Sequence, residues 1–437
     1  MDGAMTGADA GRRPQAPPAV SRGISGPGLG TRKVLRRSGA ASGLAMALAG
    51  MDAVAAVIVS RALGPGDRGV FVLAATIAGF AALFSQAGIS TAGRLALVRR
   101  SDPIPLPFYL GSCLVHTMAA GGIGSLAAAG SFFLLFDRPS WFLVSATALL
   151  TMAMTAFYLL ADALNAYGRT PAAMLTSAAG SGVFVAVSLL GTHLGWVPAT
   201  FLLANAGTIT LQALLALALL RRPGPLAVKL SWNRHREFVR VGIAAVPYVL
   251  GTALVFRLDR YIIGLLSNEG HVGVYSIAAS LSEVGRFLPN AVGQLLFFGA
   301  ASGAVAETVR NRTRMISLVV TMPVLLVVAF MAEPVVDFTL GDEFAAAVAP
   351  LRILLLGELF AASMLIDVRI LAGSGRLWAA SGVTMAALAV TITLDVVLVP
   401  THGISGAAIA TALSYLVGAA VARRFVSLSI RATVAPA

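Results

Sequence analysis

Polar and charged side chains interrupt one of the long apolar segments of the chain at regular spacing. Between residues 272 and 299, Ser276, Ser280, Glu283, Asn290 and Gln294 follow one another at spacings of four, three, seven and four residues. This spacing is the period of an α-helix, so it predicts one polar stripe along a helix. Because lipid cannot solvate such a stripe, it must face protein or a water-filled cavity.

Arginines close to this stripe add the chemistry of anion binding. Arg286 lies three residues after Glu283, and the preceding apolar segment contains Arg257, Asp259 and Arg260. A guanidinium group matches phosphate or carboxylate oxygens with two parallel hydrogen bonds. We therefore expect a cavity that binds an anionic group through Arg257, Arg260 or Arg286. Internal ion pairs, such as Glu283 with Arg286, explain any single one of these residues equally well.

Acidic residues in other apolar segments are candidates for binding a coupling ion. They are Asp52, Asp162, Glu358 and Asp367. Asp395 is a further acidic residue inside an apolar segment. A charge at the centre of a membrane helix costs about 2.5–3.5 kcal/mol on insertion scales, so it persists where it is paired or hydrated.

The composition around these residues is that of a membrane protein. Of 437 residues, 57% are hydrophobic and only 12% are charged, and the mean hydropathy is +0.85. A soluble domain of this size needs more polar surface. The sequence contains no Gly-x-x-x-x-Gly-Lys-Ser/Thr phosphate loop, and its five histidines lack metal-ligand spacing. We therefore expect a transporter rather than an enzyme, with no cofactor and no metal.

Twelve apolar segments are long enough to cross a bilayer, which takes about 20 residues each. They predict an all-α polytopic protein with spans at 39–62, 69–92, 107–135, 140–164, 171–193, 197–220, 238–264, 272–299, 314–338, 345–371, 377–399 and 404–428.

The distribution of basic residues predicts the orientation of these spans. With the N-terminus in the cytoplasm, the cytoplasmic segments hold 25 of the 32 Lys and Arg residues, and the outer segments hold three, Arg61, Arg68 and Arg138. Cytoplasmic loops of membrane proteins collect Lys and Arg, so both termini are expected in the cytoplasm.

An internal repeat divides the spans six and six. Residues 69–77 match residues 273–281 at a constant offset of 204, with four identities and four conservative replacements. Two similar halves in the same orientation predict two six-helix bundles related by a pseudo-two-fold axis along the membrane normal, with a cleft between them. The predicted divisions are a disordered basic tail at 1–37, bundles at 38–222 and 238–428, a linker at 223–237 and a tail at 429–437.

Two segments resemble a known family. Residues 60–71, SRALGPGDRGVF, resemble the first outer loop of bacterial oligosaccharide flippases, a branch of the multidrug/oligosaccharidyl-lipid/polysaccharide exporter superfamily. Residues 257–264, RLDRYIIG, followed by GVYSIAA at 273–279, look like that family's seventh-to-eighth helix signature. The resemblance marks Arg61, Arg257, Asp259 and Arg260 as substrate candidates.

The resemblance implies a function that the composition alone does not. It implies alternating-access transport of a polyprenyl-pyrophosphate-linked oligosaccharide from the cytoplasmic to the outer leaflet of the bacterial inner membrane, for surface polysaccharide synthesis. Membrane lipid and the lipid-linked oligosaccharide are the implied partners, with a polysaccharide polymerase or glycosyltransferases as further candidates and no nucleic acid.

Two other functions remain open from the sequence. An ion-coupled multidrug exporter of the same superfamily has the same helix count, and its cavity would be acidic and aromatic because its substrates are cations. A membrane-embedded glycan polymerase is a more remote alternative, since such an enzyme normally carries a large outer loop.

Overall fold

A computed structural model of the protein describes residues 31–86, 88–98, 105–135, 140–167, 169–220, 228–243, 245–301 and 307–434. Within these ranges the chain is helical apart from short turns. The α-helices in chain order are α1 Thr31–Ser85, α2 Ile89–Val98, α3 Leu106–Leu135, α4 Trp141–Ala166, α5 Thr170–His193, α6 Pro198–Leu220, α7 Trp232–Ile243, α8 Val246–Leu266, α9 Glu269–Ser282, α10 Phe287–Ala301, α11 Glu307–Leu340, α12 Val348–Gly373 and α13 Leu377–Val434. Two 3-10 helices, Glu283–Arg286 and Asp342–Ala347, precede α10 and α12.

A glycine in the left-handed region interrupts each of the two longest helices. α1 breaks at Gly64 (φ 69°) and α13 breaks at Gly403 (φ 57°). Unbroken, the 55 residues of α1 would extend about 80 Å, far beyond a hydrocarbon core of about 30 Å. Pro65 follows the first break, where a new helix needs no N–H donor. Each long helix is therefore two segments joined by a tight glycine turn.

Eight helical segments of the described residues are long and apolar enough to cross a membrane, which confirms an all-helical, multi-pass membrane protein. They are Gly50–Ser85, Leu106–Leu135, Trp141–Ala166, Thr170–His193, Pro198–Leu220, Thr308–Leu340, Asp342–Gly373 and Leu377–Leu428. α8 is not among them because it carries three charged residues, Arg257, Asp259 and Arg260.

The predicted eighth span, 272–299, is not one regular α-helix. The 3-10 helix Glu283–Arg286 divides it into α9, with 14 residues, and α10, with 15. A 3-10 helix turns about 120° per residue instead of about 100°. The side chains that follow Ser282 are therefore rotated away from the single stripe that the spacing predicts.

The predicted divisions of the chain coincide with the helices only in part. Residues 1–30 of the predicted tail lie outside the described residues, and α1 begins at Thr31, before the predicted end of the tail at residue 37. The predicted linker, 223–237, is described from residue 228 onward, and α7 begins inside it at Trp232. In the predicted tail at 429–437, the described residues 429–434 continue α13.

The largest apolar core joins early and late parts of the chain. Leu73 and Ile77 of α1 are buried together with Tyr275 and Ala278 of α9. A second core draws on α2 to α7, and a third on α8, α12 and α13. The packing of α1 on α9 thus connects two groups of helices that each have a core of their own.

Two glycines allow α1 and α9 to approach at backbone distance, and we call this the glycine contact. A Cβ atom built on Gly69 would lie 1.8 Å from the carbonyl oxygen of Glu269, and one on Gly273 would lie 1.9 Å from the carbonyl oxygen of Pro65. Position 69 corresponds to 273, and 65 to 269, at the same offset of 204 that relates the sequence repeat. Each of the two repeat segments therefore makes the same contact on the other.

Candidate functional site

Three charged side chains predicted to line a cavity, and one predicted to bind a coupling ion, form one chain of ion pairs. Nη2 of Arg260 lies 3.0 Å from Oε1 of Glu283, and Nη2 of Arg286 lies 3.6 Å from the same oxygen. Nε of Arg286 lies 2.9 Å from Oε2 of Glu358 on α12. The side chain of Glu283 is 27% exposed, whereas those of Arg260, Arg286 and Glu358 are 5%, 11% and 1% exposed. Glu283 is thus the one member of this chain that reaches open space.

Asp259 serves as a junction between three helices. Its Oδ2 accepts hydrogen bonds from the hydroxyl of Tyr275 on α9 (2.6 Å) and from that of Thr411 on α13 (3.3 Å). Its Oδ1 accepts the backbone N–H of Arg260 at 2.8 Å. The residue is only 3% exposed. These contacts are hydrogen bonds that connect α8 with α9 and α13, in place of the ion pair with an arginine that the sequence suggested.

The C-terminal part of the predicted stripe contacts α12 through Asn290 and is not part of the ion-pair chain. Nη2 of Arg369 donates to Oδ1 of Asn290 at 2.9 Å, and Nη1 of Arg369 donates to the backbone carbonyl of Asn290. Gln294, one turn further along α10, is half-buried. Asn290 therefore pairs with Arg369 of α12, outside the chain of ion pairs that contains Glu283.

Five residues from different helices form an open region that we call the shared polar surface: Asp52, Tyr158, Arg257, Ser280 and Glu283. Asp52 and Arg257 are exposed, as is Ser280, although each belongs to an apolar helix. Asp52 accepts a hydrogen bond from Oγ of Ser181 on α5 at 2.7 Å and interacts electrostatically with Glu283. Arg257 interacts electrostatically with Glu283 and with Tyr158 of α4. Electrostatic interactions thus link residues of α1, α4 and α8 to Glu283 at the end of α9.

Arg61 lies apart from this surface, near the Gly64 turn of α1. Its side chain is exposed, and Nη2 donates to the backbone carbonyl of Phe338 on α11 at 2.8 Å. This contact ties the end of the first helical segment to α11.

All four candidates for ion coupling have close partners, and that of Asp52 is Ser181, as described above. Asp162 accepts a hydrogen bond from Oγ of Ser90, and Asp367 lies 3.2 Å from Nε of Arg314. Glu358 is paired with Arg286, as described above. Asp52 differs from these three because it is exposed. Within the described residues, no cluster of three or more His, Cys, Asp or Glu side chains could hold a metal ion.

Two functional candidates were not selected from the sequence. Arg68, assigned to an outer loop, is 4% exposed and donates to the carbonyl of Ala56 (3.3 Å) and to Oγ of Ser276 (3.4 Å). Asp395 is fully buried near Asp259, and neither of its carboxylate oxygens has a hydrogen-bond partner among the described residues. The signal for Arg68 was its position beside Gly69 of the repeat, and the signal for Asp395 was its isolation in the apolar segment of α13.

Known proteins with similar sequences or folds are membrane transporters. The probable low-salt glycan biosynthesis flippase Agl15 of Haloferax volcanii is 24% identical over 397 residues, which cover 87% of this chain and 80% of the relative. The fold is similar to the inward closed conformation of the lipid II flippase MurJ, with a TM-score of 0.70, 13% identity and coverage of 88% of this chain and 87% of that chain. It is also similar to the inward-facing conformation of a MATE family multidrug resistance transporter of the MOP superfamily, with a TM-score of 0.69, 15% identity and coverage of 87% and 94%.

A family model extends this similarity over most of the chain. The model described as polysaccharide biosynthesis protein matches residues 58–349, a range that includes the glycine contact, α8 and three of the four members of the ion-pair chain, Arg260, Glu283 and Arg286. The prediction of a transporter family from residues 60–71 and 257–279 is confirmed by this match. The chain belongs to the polysaccharide biosynthesis protein family.

Proposed function

We propose that the protein is a flippase that moves a polyprenyl-pyrophosphate-linked oligosaccharide from the cytoplasmic to the outer leaflet by alternating access, for cell-surface polysaccharide synthesis. The observation that carries this proposal is the exposed guanidinium of Arg257 at the middle of α8. Family membership and the flippase relatives support it.

Arg257 is the arginine best placed to bind a pyrophosphate. Arg260 and Arg286 are already neutralised by Glu283 and Glu358. Arg257 forms no direct ion pair with a described residue and is exposed inside an otherwise apolar helix. An exposed cation at this depth faces a hydrated cavity, because lipid would not solvate it. A bidentate contact with phosphate oxygens would use the fixed fork of the guanidinium.

Twelve spans in two bundles are part of the proposal. The glycine turns divide the segments Gly50–Ser85 and Leu377–Leu428 into two spans each, and α8 and the α9–α10 pair add two more to the eight candidates. The glycine contact supports the pseudo-two-fold axis because it repeats at the sequence offset of 204. In this arrangement the shared polar surface lies in the cleft between the halves.

The orientation follows from the basic residues. Both termini and α7 would lie in the cytoplasm of a bacterial cell, and the Gly64 and Gly403 turns would face the outside.

A polysaccharide polymerase or glycosyltransferases would act on the substrate before or after transport. Asp52 and Asp395 are the acids that we consider for ion coupling, the first because it is exposed and the second because its carboxylate lacks a partner among the described residues.

The test is a translocation assay in vesicles with purified protein and a lipid-pyrophosphate-linked sugar. Arg257→Gln should reduce the translocation rate at least tenfold without a change in unfolding temperature, because the exposed side chain contributes little to packing. Arg352→Gln is the matched control, since Arg352 is also exposed but pairs with Glu333 at the surface. Equal rates in the wild type and Arg257→Gln would refute the proposed site. The assay with and without a proton or sodium gradient identifies the driving force.

A multidrug exporter is the second candidate, because the exposed carboxylate of Asp52 would suit a cationic substrate and the fold is shared with MATE transporters. Drug-susceptibility profiles with and without the gene separate the two functions. Loss of surface polysaccharide with unchanged drug susceptibility supports the flippase.

A further inference from the structure

The segment from Val228 to α7 combines exposed cations with exposed apolar side chains. Its cations are Lys229, Arg234, Arg236 and Arg240, all exposed, and its acid is Glu237. None of these five side chains forms an ion pair within the described part of the chain. Val228, Leu230, Trp232 and Ile243 are 55%, 56%, 58% and 57% exposed. We call this combined face the α7 face.

The opposite side of α7 is fixed to the first helical group. His235 is 7% exposed and its Nδ1 lies 3.2 Å from Oγ of Ser112 on α3, while Phe238 packs edge-on against Tyr109. The first residues of α7 stand over α3 as well, because the guanidinium of Arg234 lies 4.9 Å from the ring of Phe108. The α7 face is therefore held outward by a buried and well-packed opposite side.

The depth of α7 is set by contacts with the beginning of a membrane span. The backbone N–H of Lys229 donates to the carbonyl of Pro107 at 3.0 Å. Pro107 and Phe108 belong to the first turn of α3, which is one of the candidate spans. At its other end, α7 meets α2, where a Cβ on Gly88 would lie 2.0 Å from the carbonyl oxygen of Gly242. α7 thus lies beside the beginning of a candidate membrane span.

We propose that the α7 face binds anionic phospholipid headgroups of the leaflet beside it, with its apolar side chains inserted among the upper acyl carbons. Four cations against one acid match a negative surface, and a tryptophan with basic neighbours is the composition of interfacial helices. Neutral lipid would satisfy the apolar side chains but would offer the four cations no anionic partner. This inference is independent of the transported substrate.

Tryptophan fluorescence of the full chain in vesicles tests the proposal. Trp141, Trp196 and Trp378 are replaced by Phe, so that Trp232 is the one tryptophan left of the four. The protein is reconstituted in phosphatidylcholine with equal fractions of brominated phosphatidylglycerol or brominated phosphatidylcholine. The anionic quencher should be more effective at Trp232 than the neutral one. One Lys or Arg near an anionic surface corresponds to about a fivefold gain in affinity. The triple variant Arg234→Gln, Arg236→Gln, Arg240→Gln should therefore abolish the preference.

The matched control removes three other exposed arginines, Arg312→Gln, Arg376→Gln and Arg424→Gln. This control variant should keep the preference for the anionic quencher, because the cations of the α7 face are unchanged. Equal quenching by both lipids before any arginine is removed, or an undiminished preference in the triple variant, would overturn the proposal. Quenching enhanced only by a brominated polyprenyl pyrophosphate would also overturn it, because the occupant would then be the transported lipid. Native mass spectrometry repeats the comparison of the triple variant with its control in a chain that keeps all four tryptophans. The measured quantity is the number of phosphatidylglycerol molecules that the protein retains.

Discussion

Replacement of Gly69 by alanine should force α1 and α9 apart at the glycine contact. The new Cβ would lie 1.8 Å from the carbonyl oxygen of Glu269, and Cβ atoms essentially never approach another heavy atom within 3.0 Å. The backbones of α1 and α9 must therefore separate by at least about 1.2 Å at this point. The neighbouring atom is backbone, so a side-chain rotation cannot relieve the clash.

The size of the effect follows from the cost of overpacking, which is about 1–3 kcal/mol for one added methyl group. In an alternating-access protein this cost applies only to the state in which the contact is closed. It shifts the population toward the state that is open at this end by a factor of about 5 to 150. Gly273→Ala should act in the same way, since its Cβ would lie 1.9 Å from the carbonyl oxygen of Pro65.

Distances between spin labels measure this shift directly. Labels at His193→Cys and His402→Cys, with Cys113→Ala to remove the native thiol, report on exposed positions near the glycine turns of α5–α6 and α13. Gly69→Ala should increase the population at long distance, whereas Gly66→Ala should leave it unchanged, because a Cβ there meets no atom within 4 Å. Superimposable distance distributions for the wild type and for folded Gly69→Ala would refute the reasoning.

Three further predictions concern buried charges. Arg286→Met should lower the free energy of unfolding by about 3–5 kcal/mol in a detergent melt, because Glu358 is left buried without its partner. The double variant Arg286→Met, Glu358→Gln should recover part of this loss, and equal stability of the single and double variants would contradict the prediction. Asp395→Asn should raise the unfolding temperature and make transport independent of the ion gradient, whereas an unchanged gradient dependence would exclude Asp395 from coupling. Burial lowers the pKa of His235 below its ordinary value of 6.5, so the docking of α7 is most stable above pH 6.5 and weakens as the pH falls below it. Hydrogen exchange in α7, corrected for its intrinsic pH dependence, should therefore be faster at pH 5.5 than at pH 7.5. His235→Gln should remove this difference.

The sequence predicted the class of fold well because lipid imposes a simple requirement. Long apolar segments must be helices, and the matches at 69–77 and 273–281 were enough to expect a relation between two halves. The break before α10 was not predictable in the same way. The residues of the 3-10 helix Glu283–Arg286 fit an α-helix equally well, and their backbone geometry depends on the charged partners that surround them.

The types of residue in the candidate site were predictable, but their partners were not. The sequence showed that Arg257, Arg260 and Arg286 lie in apolar segments, which made all three equal candidates for an anion. Arg286 pairs with Glu358, 72 positions away, and this pairing depends on how α12 packs beside α9 and α10. Only the folded chain distinguishes the neutralised arginines from the exposed Arg257.

The 3-10 helix between α9 and α10 is a joint at which the charge of Glu283 has an arginine partner on either side. Glu283 sits on this joint, with Arg260 on one side at 3.0 Å and Arg286 on the other at 3.6 Å. When α10 tilts relative to α9, the carboxylate can strengthen its contact with one arginine as it weakens the other. A bend at this joint would therefore leave the negative charge of Glu283 with a positive neighbour.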